Sequence, residues 1–119
     1  MAYAKFDDGF ADHPKVRGLT DAAFRLHTAG IVYCSRYLTD GVVMADNIPD
    51  LVRRYKPASL AELVTKGLWL IQIPDFTYEI HDYLQWNDPR TAIEARRQAK
   101  ADRQTRWLEK ANRAKEGAA

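Results

Sequence analysis

Two short segments with helical apolar spacing, at 46–55 and 59–66, are followed by a strand–turn–strand pattern over 68–83 and a long basic run from 89. Together they predict a mainly α fold with a small β-hairpin. Two helices on a tight connection, then a hairpin, are the order of a winged helix-turn-helix, most often a nucleic-acid-binding module. The organisation this implies is an N-terminal arm at 1–19, a winged-helix domain at 20–86, a basic C-terminal helix at 87–116 and a disordered end at 117–119.

The arm carries Phe6, Phe10 and Val16 among Asp7, Asp8, Asp12 and His13, with Gly9, Pro14 and Gly18 set to interrupt any helix. It reads as an irregular segment whose aromatics dock on the domain. Its three acids and histidine are a solvated loop rather than a metal site, since carboxylates adjacent in sequence do not thereby converge in space. Thr20 is placed to cap the next helix, with Asp21 in the first turn against the helix dipole. That helix runs to about Tyr37, and Ala22, Leu26, Ala29, Tyr33 and Tyr37 recur at helical spacing as its core line. His27 beside that line calls for a local hydrogen bond, and Cys34 reads as a small core residue.

Thr39-Asp40-Gly41 is a turn, and Val42-Val43-Met44 is a short third strand against the later hairpin. The helix at 46–55 takes Pro49 in its first turn, turning Ile48, Leu51 and Val52 inward and Arg53 and Arg54 outward. After Pro57, Ser59 and Glu62 form a capping-box pattern, Leu60, Leu63 and Val64 make the apolar side, and Gly67 stops the helix. Leu68 to Ile73 and Tyr78 to Tyr83 are the strands, joined by Pro74-Asp75-Phe76-Thr77. Without Lys or Arg, this acidic turn is a poor grip for phosphate. Asn87 or Asp88 is the expected cap of the last helix, with Pro89 at its first position. Leu26, Tyr33, Leu51, Leu63, Trp69 and Ile80 are expected to meet in one core.

Formal charge is +2 overall but uneven: residues 1–88 carry net −3 and residues 89–119 net +5. The tail is thus the positive part, fit for phosphates or an acidic partner. No segment approaches the roughly 18 apolar residues of a membrane span, and no apolar leader opens the chain. One cysteine cannot close an internal disulfide, so nothing points to an oxidising compartment and a soluble, intracellular protein is expected. Enzyme signatures are missing: no glycine-rich phosphate loop with Lys and Ser/Thr, no zinc spacing around Cys34, and three isolated histidines. A non-enzyme without cofactor or metal is expected.

Further motifs are Lys5-Phe6-Asp7-Asp8-Gly9-Phe10 with His13-Pro14-Lys15, Leu38-Thr39-Asp40-Gly41, the 63–69 run through Lys66-Gly67, and Tyr78-Glu79-Ile80-His81-Asp82-Tyr83-Leu84 before Trp86-Asn87. In this combination, over residues 4–97, the chain resembles small winged-helix proteins of actinobacterial phages and prophages. It is similar there to the N-terminal domain of phage replisome organisers and DnaD-type primosome proteins, but short for that group and without an obvious second, helicase-contacting domain. The resemblance implies a phage DNA-binding protein with a replication-accessory or regulatory role.

Expected duplex contacts are Ser59, Thr65 and Lys66 on the second motif helix, with Arg53, Arg54 and Lys56 holding the backbone. Arg96, Arg97, Lys100, Arg103 and Arg106 on the tail would add phosphate contacts. So sparse a reading set implies weak sequence specificity. The alternative is a protein-interaction module that uses the winged fold as scaffold and binds a host or replisome protein. Asp75 and Phe76 in the turn and Trp107 and Leu108 on the tail would be its contacts, the tail also being a route to a homodimer.

Overall fold

A computed structural model describes residues 3–73 and 75–117, and its chain divides into two compact units, Met1–Asp88 and Pro89–Ala119. The first is mainly helical around a small antiparallel sheet; the second is one long helix.

The arm belongs to the first unit and is more ordered than its glycines and proline imply. A 3-10 turn at Phe10–Asp12 leads into α1, Pro14–Arg17. Pro14 starts that helix rather than interrupting it, because the first helical position needs no N–H. His13 Nδ1 accepts the Lys15 N–H at 3.3 Å as cap. The aromatics do dock: Phe10 meets Phe6 edge-on at 5.0 Å and stacks on His27 at 5.5 Å. Asn87, one of the two expected caps of the last helix with Asp88, clasps the arm. Its side chain accepts from Lys5 N at 2.8 Å and donates to Lys5 O at 3.3 Å, while Lys5 Nζ meets Asp88 at 3.2 Å.

Helix α2, Asp21–Tyr37, starts as expected, with Thr20 Oγ1 accepting from Ala23 N. Its buried face is rotated by about one residue from the predicted line. Ala23, Leu26, His27, Gly30, Ile31 and Cys34 face the core, whereas Ala22, Ala29 and Tyr33 are half-buried and Tyr37 is exposed. Gly30 decides the phase: a Cβ there would collide with the indole of Trp69, so this glycine lets the largest core side chain lie against the helix.

Strand β1, Val42–Met44, pairs with β3, Thr77–Ile80, which pairs on its other side with β2, Trp69–Gln72. The sheet is antiparallel in the order β1-β3-β2, so the expected third strand forms. Trp69 faces Ile80 and Ile71 faces Tyr78 across the hairpin. Between β1 and β2, the predicted helix at 46–55 is replaced by a 3-10 turn at Ala45–Asp50 followed by bends. Arg54 takes φ 57°, and Lys56, next before Pro57, is extended, so the helix cannot continue to α3, Pro57–Thr65. The capping box is also absent. Lys56 occupies the cap position, and Glu62 instead accepts from Thr20 N at 3.1 Å and Thr20 Oγ1 at 3.0 Å, joining α3 to the start of α2. β3 stops at Ile80; Asp82 at φ 62° turns the chain into α4, Tyr83–Trp86, where a continuing strand was expected.

Leu26, Leu63, Trp69 and Ile80 lie in one buried cluster with Ala23, Cys34, Val43 and Ile48, and Tyr33 and Leu51 pack against it half-buried. The six predicted core residues therefore meet. Helix α5, Arg90–Gly117, forms the second unit and buries none of its residues. Gly117 closes it, so the predicted disordered end begins inside helix; residues 118–119 lie outside the described residues, as does Pro74 of the predicted turn.

Candidate nucleic-acid interface

The rotation of α2 leaves a second face of that helix at the surface. Arg25, Tyr33, Arg36 and Tyr37 from α2, with Asn47 and Arg53 from the 45–56 segment, line a groove of about 880 Å³. A smaller hollow of about 260 Å³ shares Arg25 and Arg53 with it and adds Arg54 and Lys56. The two form one continuous surface.

Arg25, Arg36, Arg53, Arg54 and Lys56 are all exposed, and among the described residues none of these five is in an ion pair. Only Asp21 and Asp50 bring acid into the lining. Helix α3 begins here without a side-chain cap, so the positive end of its dipole adds to the charge of Lys56. Aromatic groups are held in the same groove. Tyr33 and Tyr37 lie 4.8 Å apart, Asn47 Nδ2 donates to the Tyr33 hydroxyl at 3.0 Å, and the Arg36 guanidinium sits 5.5 Å from the Tyr37 ring. Unpaired cations among partly exposed tyrosines suit phosphate and base faces.

The chain matches no protein-family model, no curated protein and no solved structure.

The predicted contacts divide into three groups. Arg53, Arg54 and Lys56 are exposed and brought together. Ser59 is a correction: at 6% exposure it is buried, because α3 turns it toward the core, and it cannot reach a base in this conformation. Lys66 is half-buried and spends its ammonium on Gly18 O at 2.8 Å, leaving Thr65 exposed at the end of α3. The remaining exposed face of α3 is Pro57, Ala58 and Ala61, which offers no base-reading group. Arg96, Arg97, Lys100, Arg103 and Arg106 are exposed on α5, in the second unit.

Arg25, Arg36, Tyr33 and Tyr37 were not foreseen as site residues. The two tyrosines belong to the expected core line, and the packing of Gly30 against Trp69 places them at the edge of the buried face, Tyr33 half-buried and Tyr37 exposed. The i, i+3/i+4 recurrence of 25, 29, 33, 36 and 37 was the available signal.

The other protein-interaction candidates, Asp75, Phe76, Trp107 and Leu108, are exposed, Phe76 at 75%. Ile71 and Ile73 join Phe76 at the hairpin end, and Phe76 holds φ 50° while its carbonyl accepts from Ala45 N at 3.0 Å. His27 is buried, its Nδ1 accepting from Trp69 Nε1 at 2.9 Å. This bond crosses from α2 to β2 and is not the local one expected. Burial raises the Cys34 thiol to about 11, so it stays protonated, as a core residue does. Among the described residues no group of three His, Cys, Asp or Glu is placed to hold a metal, and no helix is long and apolar enough to cross a membrane.

Proposed function

We propose that this chain is a non-enzymatic DNA-binding protein that holds duplex DNA through its phosphates with weak sequence specificity. The five unpaired cations around the α2 groove carry the proposal: phosphate contacts supply most of non-specific affinity, and the exposed face of α3 has little with which to read bases. The sequence of α2, the 45–50 turn, α3 and the β2–β3 hairpin supports a winged helix-turn-helix, with its first motif helix reduced to a 3-10 turn. With the phage resemblance, the fitting role is a replication accessory or regulatory factor in a bacterial cytoplasm. Titration of short duplexes at several salt concentrations tests this. Unrelated duplexes should bind within a few-fold of one another. Substituting Arg25, Arg36 and Arg53 together by Gln should reduce the salt slope by about 2.7, from roughly 0.9 per phosphate. An absence of saturable binding at low salt would overturn the proposal.

A second reading is favoured by the hairpin end, where Ile73 is 81% and Phe76 75% exposed. Such an apolar tip suits a protein partner, from the host or a replisome, with the fold serving as scaffold. A host-lysate pull-down should then recover a partner that the Ile73→Ser, Phe76→Ser variant loses. Recovery of the same proteins by both forms would count against it.

A further inference from the structure

Helix α5 segregates its charges by face. At 3.6 residues per turn, Arg96, Lys100, Arg103 and Lys110 fall within about 40° of one line along the helix. Trp107 falls on that same line, between Arg103 and Lys110. All four acids of the helix, Glu94, Asp102, Glu109 and Glu116, lie on the opposite side, about 160–240° round. The acids have their helical neighbours among the off-line cations. Arg90 pairs with Glu94 at 2.7 Å, and Asp102 and Glu109 stand four residues before Arg106 and Arg113. Lys100, Arg103 and Lys110 have no acid three or four positions away in either direction. Helical charge pairing therefore does not account for the alignment of Lys100, Arg103 and Lys110.

Trp107 supplies the second observation. Trp107 is 68% exposed between two cations of the basic line, on a helix with no buried residue. A membrane surface would call for a broad apolar face, and this helix has none. Stacked duplex bases offer the ring no face. Unstacked bases do, while their phosphates remain within reach of the flanking cations.

We propose that this stripe, about 21 Å long from Arg96 to Lys110, binds single-stranded nucleic acid. The four cations meet the backbone phosphates and Trp107 stacks on a base. The site is carried by α5 alone and stands whether or not the first unit holds duplex DNA.

The test uses the full chain and a labelled oligothymidylate, with anisotropy read over a range of salt. Lys100→Gln with Arg103→Gln should lower the salt slope by about 1.4, from 0.7 per phosphate on single strands. The off-line pair Arg97→Gln with Arg106→Gln should change it little. Trp107→Ala should weaken binding about 5- to 150-fold, and Trp107→Phe, which keeps a ring, should recover most of that loss. Unchanged helix content by circular dichroism attributes the losses to the surface. Equal losses from the two charge pairs would overturn the proposal, as would full affinity in Trp107→Ala. Concentration-dependent self-association abolished by Trp107→Ala, without oligothymidylate binding, would assign the stripe to a second copy and overturn it too.

Discussion

Trp69→Ala should cost about 3–5 kcal/mol, which is much of the stability of a domain this small. Trp69 is fully buried at the centre of the first unit. Its ring lies against Gly30 of α2, pairs with Ile80 across the hairpin and sits 6.4 Å from Tyr78. Truncation therefore opens a cavity where helix and sheet meet. It also strips His27 Nδ1 of its only hydrogen-bond donor among the described residues. Gly30→Ala should destabilise as well. In an open helix interior that change gains up to about 1 kcal/mol, but here the new methyl group would meet the indole. Urea denaturation of both variants provides the measurement. A Trp69→Ala loss below about 1 kcal/mol, or a stabilised Gly30→Ala, would mean that α2 does not pack on β2 through this contact.

The same pair of residues marks how far the chain could be read before its structure. The hairpin, the third strand, the Thr20 cap and the long last helix follow from local signals: alternation, turn residues, capping chemistry and helix-forming composition. The core members were legible too, because large apolar side chains have few other places to go. The phase of α2 was not. Leu26-Ala29-Tyr33-Tyr37 and Ala23-Leu26-Gly30-Cys34 are both helical lines, and choosing between them depends on an indole 39 residues downstream. The error carried into the site, since the line mistaken for core contributes the tyrosines and neighbours the arginines of the groove.

The segment at 46–55 failed for a related reason. Its apolar spacing was real, with Ile48 buried and Leu51 and Val52 packed on the core, but a 3-10 turn and bends can satisfy so short a pattern. Ser59 and Glu62 matched a capping box in spelling alone. Pro57 starts α3 two residues earlier, which turns Ser59 inward and frees Glu62 to hold Thr20. Asn87 likewise reads, beside Asp88, as a possible cap because its partner, the Lys5 backbone, lies 82 residues away. Local chemistry can name a polar residue's habits but not the distant group that claims it.

Acid should unfold the first unit in a window set by His27. Burial holds this imidazole down to about 4 from its ordinary 6.5. Its Nδ1 accepts from Trp69 Nε1, so the folded state requires the neutral ring. The unfolded chain binds the proton first as pH drops, and stability rises with pH wherever the unfolded state holds more protons, so it is lost on acidification. The contribution is complete above about pH 6.5, is lost progressively toward pH 4, and changes no further below that. The interval corresponds to roughly 3 kcal/mol for a group buried to 3% exposure. Carboxylates titrate near the lower end of this window, so the informative quantity is a difference between variants. His27→Asn places an amide oxygen near the position of Nδ1 and cannot ionise. Its urea midpoint should begin lower at pH 7.5, then decline less than that of the parent chain between pH 6.5 and 4. Parallel decline of the two proteins would show that protonation of His27 is not what acid acts upon.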